Sequence, residues 1–547
     1  MPSFSQANSP MQVFTPMGDD VLLGTSLKGS ERLGDSFEFT VDLLAAAGTE
    51  IPFSSLMGNT ASVEVIQADA TVRNYHGMVW QFTQYDADSV FDHYRMVLKP
   101  KLAMLGLTRR SRIFQGLSAL DIIRQIVAPV GGAEIQMTGV PPVRVYCTQY
   151  RETDLEFFLR LCSEEGIIHY WRHTRDEHTL VLTDTTSDAP SLGSIDYDQT
   201  VGGSENATFI RAWALTQTMV PSAADITGSH FQVFGQNLGA NARGPVAVPA
   251  GSVSIAPVET PAPWEEDSQS TTRFFDSVNS SGGETEGAIS SIYPTQERQA
   301  GIVATAAASG GVRARAVSNC CQLTPGYGIT LAGHATQSGD WLVVAVEHTV
   351  TVEGRFWAGD TPTLSRNVVA ELAPLQLTQC HWPPKTRPRV GGVCTAIVVG
   401  QGEAFLDMYG RVQVRFPWDR SESTQSCWLR VAQSWAGNGW GACFWPRVGH
   451  EVVVAFEHGD PDRPLVVGSV YNSTNMPPYP MPENKFIAGW KSLTEGGDPT
   501  ENFHQILMCD ESDSPVIAIH SESIFVSNQE NQQKSIRPHF DVDFQGG

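Results

Sequence analysis

Between residues 392 and 470 five short runs follow one another: GVCTAIVV, GRVQVRF, CWLRVAQ, HEVVVAF and PLVVGSV. Alternation is clearest where Arg411, Gln413 and Arg415 interleave with Val412, Val414 and Phe416. Period two over that length is the mark of a half-buried strand. The turns between runs carry Gly, Asp and Pro, as in EHGDPDRP. Five strands in under about 90 residues is the count of a small Greek-key barrel of the OB type. Proline-rich straps flank it, CHWPPKTRPRVGG before and NMPPYPMPENK after, and proline holds such segments extended and semi-rigid. The second run stops at Pro417-Trp418, and Trp428, Trp435, Trp440 and Trp445 follow, so five of the chain's 13 tryptophans fall within residues 418–445. Such a cluster is either a ligand pocket or a joint between rigid bodies.

Upstream, VLLGTSL, SFEFTVDLL, ASVEVIQ, YHGMVWQF and HYRMVLKP alternate or are β-branched, with Gly, Asp or Asn between most of them. They predict a barrel or sandwich over residues 10–100. Two helices interrupt. One starts at Ser118, with Asp121 three residues on and Ile122, Ile123, Ile126 and Val127 behind it. The other has Thr153 and Glu156 at capping-box spacing, Leu155, Phe158, Leu159 and Cys162 on one face, and Gly166 as its stop. A strand then continues from Ile167 to Trp171, so this part is α+β. Residues 200–315 are rich in Ser, Gly, Ala and Thr and suggest long surface excursions, with a helix near 295–308. Strands resume at YGITLAG and WLVVAVEHTVTVEG. The last 64 residues carry a glycine loop, TEGGD, and two alternating runs, SPVIAIH and ESIFVSN, too little to bury a core alone.

At 547 residues there is room for roughly three to four domains. A formal charge of −23 works against sequence-independent binding to nucleic acid or to an anionic membrane. TRRSR at 108–112 is too short to reverse that. The first residues lack a basic stretch and an apolar core, so no secretory signal is expected, and no apolar run approaches membrane-spanning length. Nine irregularly spaced cysteines without a C-x-x-C pair point to reduced thiols, not disulfides or zinc.

Catalytic and metal patterns fail on spacing. His450, Glu451 and His458 resemble a zincin motif, but position 454 is valine and HEVVVAF is a strand, which sets the two histidines far apart. No G-x-S-x-G elbow, phosphate loop or dinucleotide fingerprint occurs. Glu38, Asp42, Glu64, Glu164 and Glu165 could pair as glycosidase carboxylates, yet scattered acids in a chain with 59 are expected on the surface. Tryptophans on an OB barrel suit stacking of single strands, but only Arg411, Arg415, Arg420, Arg430 and Arg447 could line a groove. His504, His520 and His539 could form rings of three in a threefold assembly, although a lone surface histidine is the commoner case. No catalytic, cofactor or metal residue is assigned, and no cofactor is expected.

GRVQVRFPWDR and SCWLRVAQSWAGNGWGACFWPRVGHEVVVAFEHGDPDRPLVVGSVYNSTNMPP closely resemble the barrel of the VgrG (valine-glycine repeat protein G) family. These are spike proteins of type VI secretion systems, related to the hub and spike of contractile phage tails. YHGMVWQF, YRMVLKPKLAMLGLTRRSRIFQGLSALDII, QYRETDLEFFLRLCSEEGIIHYW, WLVVAVEHTV and PENKFIAGWKS extend the resemblance over most of residues 10–495. Residues 200–290 and the final 50 are least family-like.

The resemblance implies a mainly β protein in three parts. A phage-hub-like region with two barrel-like domains and α+β insertions occupies 1–380, an OB neck 381–475, and a strap with a short β-prism needle 476–547. It implies a non-enzymatic homotrimer that caps a hexameric tube and meets a PAAR-type tip protein, effectors with their adaptors, and baseplate components. It also implies assembly in the cytoplasm and ejection at the tube tip, without nucleic acid or stable membrane insertion. A neck must transmit thrust without bending, and large aromatics bury much area at low entropy cost. Trp382, Phe416, Pro417, Trp418, Trp428, Trp435, Trp440 and Trp445 are therefore expected as structural joint residues. The chain carries about 60 residues after the strap and no valine-glycine array, so either the spike is short or the C-terminus is abbreviated. Two other readings stand beside this one: a carbohydrate- or peptidoglycan-cleaving hub with carboxylates in the 200–300 region, and the spike of an extracellular injection particle.

Overall fold

The computed structural model describes residues 4–524 except 68, 200–206, 222, 229, 237, 245–246, 252, 256–262, 268–291, 355, 358–360, 381–384 and 421–425. Six antiparallel strands come first: β1 (Met11–Phe14), β2 (Leu23–Arg32), β3 (Glu38–Ala46), β4 (Thr60–Ile66), β5 (Val72–Ala87) and β6 (Phe91–Lys99). Their order is β1-β4-β5-β6-β3-β2. Alternation sets their inner face; along β3, Phe39, Val41, Leu43 and Ala45 are fully buried while the residues between them are not. The sheet curls until β2 lies against β1 without pairing to it. Gly24 permits that approach, because a Cβ there would meet Val13 Cγ2 at 2.6 Å.

Six later strands form a second unit: β7 (Ser191–Tyr197), β8 (Phe209–Gln217), β9 (Val312–Ser318), β10 (Gly328–Ala332), β11 (Gly339–Glu353) and β12 (Thr363–Pro374). They run β11-β10-β7-β8-β9-β12, and β12 pairs back onto β11 to close a six-stranded barrel. The two units are one sheet, since Ser26–Arg32 of β2 pairs antiparallel with Ala345–Thr351 of β11.

An α+β lobe lies between β6 and β7. Its strand Arg109–Phe114 pairs with Cys147–Thr153, and Ile168–His173 pairs with His178–Thr183. Helices α1 (Ala119–Val127) and α2 (Asp154–Glu165) both open on complete capping boxes, Ser118 with Asp121 and Thr153 with Glu156. Gly166 at φ 68° ends α2. The buried face of α2 is Asp154, Phe157, Phe158, Leu161, Cys162 and Glu165, with Arg160 beside it. Leu155 and Leu159, expected on that face, are only half-buried, because the helix turns charged groups inward as well as apolar ones.

The described residues of the 200–315 region include regular elements. Phe209–Gln217 is a barrel strand, and Ala223–Thr227, Ala240–Arg243 and Trp264–Asp267 form a small sheet. Helix α3 (Ile292–Ala308) packs Ala300, Val303 and Ala304 on Ala224, Ile226 and Ala240. Small side chains weaken the hydrophobic signal while allowing this close approach.

The five runs after the first strap become Cys394–Val399, Gln413–Arg415, Arg430–Val431, Glu451–Phe456 and Pro464–Val470 in one sheet. A bridge between Val412 and Leu429 joins its two ends into a small barrel. Beyond the second strap, Ile487–Lys491, Gln505–Cys509 and Val516–His520 form an antiparallel three-stranded sheet. Most of ESIFVSN lies outside the described residues. All nine cysteines are free thiols, and among the described residues no helix is long and apolar enough to cross a membrane.

Candidate assembly surfaces

Two surfaces set how this chain could build something larger: the joint between lobe and small barrel, and the open face running from the barrel into the C-terminal sheet.

Ile113 and Tyr146 of the lobe enter the same core as Val414, Phe416 and Leu429 of the small barrel. Around that seam charged groups are buried. Arg144, 1% exposed, pairs with Glu164 at 2.7 Å and Glu165 at 2.5 Å. Arg160, 2% exposed, holds Glu152 at 2.8 Å and Glu164 at 3.1 Å and donates to the Thr148 carbonyl. The Thr148 N–H donates across the seam to Asp462 Oδ1 at 2.6 Å. Arg387 of the first strap reaches Glu164 at 3.1 Å and Asp460 at 3.7 Å, and Arg298 of α3 reaches Glu165 at 2.6 Å. Lobe, strap, excursion and barrel therefore share one charge network. Burial alone would push the Arg144 and Arg160 protons off; the attraction of Glu164 with Glu165, and of Glu164 with Glu152, outweighs it and holds both guanidiniums firmly charged. Burial likewise raises the Glu152 carboxyl, against the pull of Arg160. Such a network adds little net stability, but removal of one member leaves a buried uncompensated charge.

The expected joint residues divide between the two surfaces. Phe416 is buried and stacks on Trp418 at 4.9 Å, and Trp418 takes Tyr150 of the lobe edge-on at 5.7 Å. Pro417 turns the chain between them and is exposed. Trp428 stacks on Phe405 at 5.1 Å on the barrel flank. Trp435 and Trp440 face each other edge-on at 5.0 Å across a tight hairpin, 63% and 58% exposed. Trp445 lies over Gly410, whose φ is 68° and whose Cβ would meet the indole at 2.7 Å. Trp382 lies outside the described residues.

The open face continues downstream. Phe444, exposed like its neighbours, stacks on Trp490 of the C-terminal sheet at 6.3 Å. That sheet leaves Ile506, Ile517 and Ile519 at 44%, 73% and 60% exposure, with Ile524 beyond them. Apolar groups so displayed mark an interaction surface.

The acids expected on the surface are only partly there. Glu38 and Asp42 pair with Lys99 and Arg95 on the outside, but Glu164 and Glu165 are the buried centre of the joint. Their signal was a pair of adjacent acids on a helix face whose other residues are apolar.

Residues 30–354 match the phage tail baseplate hub (GPD) family, and residues 395–471 match the type VI secretion system/phage-baseplate injector OB domain. The fold and its surfaces thus define a contractile-tail hub joined to an injector barrel. The type VI spike protein VgrG1a of Pseudomonas aeruginosa is 32% identical over 95% of this chain and 78% of its own length. VgrG1b of the same organism is 30% identical over 96% of this chain and 69% of its own length. The chain belongs to the VgrG family of type VI secretion spike proteins, and it is a structural spike and hub component of a contractile injection apparatus. The peptidoglycan-cleaving hub and the extracellular particle, weighed as alternatives, do not fit these relatives. The fold is shared with an E. coli type VI component described as similar to the T4 tail proteins gp27 and gp5 (TM-score 0.55, 17% identity, 82% of this chain and 97% of that one). It is shared too with a Francisella PdpA–VgrG complex (TM-score 0.57, 7% identity, 93% and 84%).

Proposed function

We propose that three copies of this chain assemble into one spike, with the hub region 1–380, the neck 381–475 and the needle segment 476–547 stacked along a common axis. The carrying observation is the open face, where Trp435, Trp440, Ile517 and Ile519 remain solvent-exposed in one chain. A three-stranded sheet with exposed isoleucines satisfies neither its edges nor its apolar groups alone; two further copies supply both.

The spike caps the hexameric tube, meets the baseplate, and presents its far end to a PAAR-type tip protein and to effectors with their adaptors. A solved Francisella VgrG in complex with PdpA supports a carrier role. The chain acts mechanically, not as an enzyme; it assembles in the cytoplasm and leaves at the tip of the ejected tube. Phe416 and Trp418 brace the neck against the lobe, while Trp435, Trp440 and Trp445 face neighbouring copies.

Light scattering over a dilution series tests the assembly. A mass of three times 59.5 kDa, unchanged on dilution, supports it. A monomer at all concentrations overturns it. Release of muropeptides from purified peptidoglycan by this chain would overturn the non-enzymatic reading.

A further inference from the structure

The first barrel and the lobe meet over a line of histidines. His76 on β5 is 3% exposed, and its Nδ1 lies 2.8 Å from Nδ1 of His178 at the start of the lobe strand His178–Thr183. His178 Nε2 accepts the Lys101 backbone N–H at 3.0 Å. That bond fixes the proton arrangement. With Nε2 occupied as an acceptor, neutral His178 carries its proton on Nδ1 and donates it to His76. A proton added to either ring puts two N–H groups face to face, at His178 Nε2 against the Lys101 amide or at the 2.8 Å contact itself.

A cavity of about 400 Å³, lined by His76, Lys101, Glu134, Trp171, Asp176, Glu177 and His178 among others, brings solvent to the pair. We infer that the His76–His178 contact is an acid-operated latch between the first barrel and the lobe that carries the neck.

The surrounding charges agree with this. Besides the cavity's carboxylates and Lys101, His173 lies behind the pair, its Nε2 3.4 Å from Glu31. Arg73 neutralises Glu31 at 2.6 Å, Arg172 takes up Glu134, and Arg175 lies 3.8 Å from Glu64. Asp176 is the one acid that favours charge on His76, and burial, His173 and Lys101 outweigh it, so His76 falls to about 4. Burial, His173, His76 and Lys101 take His178 to about 2. A depressed histidine leaves the unfolded or opened form binding more protons. The latch therefore contributes its full stability above about pH 6.5 and loses it as pH falls toward 4. Release loosens the edge of the lobe around His178, while Phe37 against Trp171 at 5.3 Å and the Trp171 indole N–H on the Asp35 carbonyl at 3.1 Å still hold the lobe to the first six strands.

Hydrogen–deuterium exchange of residues 172–182 in the full chain, corrected for intrinsic rate, tests this between pH 7.5 and 4.5. Exchange in this segment should rise on the order of tenfold to hundredfold across that range. In His178→Gln, whose amide can keep both hydrogen bonds without titrating, the rise should shrink to what His76 alone supplies while protection at pH 7.5 is retained. Equal acid opening in the variant, or none in the unmodified chain, overturns the latch. Histidine C2 exchange on the unmodified chain gives a second readout should the variant fold poorly: midpoints for His76 and His178 below 5 support the latch, and ordinary midpoints near 6.5 overturn it.

Discussion

The neck joint and the C-terminal sheet solve opposite problems. At the joint, Arg144, Arg160, Glu164 and Glu165 are buried, and each finds its partners within the same chain. In the C-terminal sheet, Ile506, Ile517 and Ile519 are apolar, and a single chain leaves them in water. A buried charge network demands that every member be present before the geometry is stable, so the joint is fixed at folding. An exposed apolar sheet can wait, so under the proposed function this sheet would be completed at assembly. Position along the chain follows that division: the charged joint is satisfied within one chain, and the C-terminal sheet is left with its apolar groups exposed.

Breaking the joint should have the largest effect. Arg144→Leu removes the one guanidinium shared by the buried Glu164 and Glu165, leaving Arg160 and Arg387 on the first and Arg298 on the second. It should cost about 3 kcal/mol, read as a lower urea midpoint and rapid proteolysis between lobe and barrel. An unchanged midpoint would mean the network is dispensable. Ile517→Asp with Ile519→Asp should act on assembly alone: the scattering mass falls to one chain while the thermal transition of the hub stays in place. Loss of both together would erase the distinction between the two regions.

An acid titration sharpens the comparison within the hub. Burial opposes charge on Glu31, but Arg73 with His173 and His348 overrules it and holds the carboxyl well below its usual range. A depressed carboxyl stabilises the fold above the ordinary value of about 4.3 and loses that contribution as pH falls through the folded value. Urea midpoints of Glu31→Gln should therefore lie below those of the unmodified chain at pH 6 and converge with them as pH is lowered under about 4. The smallest effect is local. Gly410→Ala places a methyl against Trp445 at a left-handed φ and should cost about 1–2 kcal/mol, confined to the small barrel.

The sequence made the strands legible because alternation is local. GRVQVRF and HEVVVAF announce an inner and an outer face without reference to anything else, and the capping boxes at Ser118 and Thr153 are complete within four residues. The joint was harder to read. Arg144, Glu164, Arg298 and Arg387 come from four separate segments, and nothing near any of them says that the others will arrive. Tryptophans are conspicuous in a sequence, but nothing local tells which pack inward: Trp435 and Trp440 are 63% and 58% exposed, while Phe416 and Trp418 contact the lobe side of the barrel. Strand Phe209–Gln217 was hidden by a composition rich in small and polar residues around it.

The pairing of β2 with β11 sets a clock for synthesis. Leu27 finds its partner Val350 only when more than 300 further residues have left the ribosome. At about 5–20 residues per second, that interval is roughly 15–65 s, during which the first barrel can fold but keeps one edge without a neighbour. An unpaired edge of that length invites pairing with any other nascent strand. Lys28, Ser30 and Arg32 point outward from the same stretch, and the two basic residues give the waiting edge a charge that discourages the wrong partner.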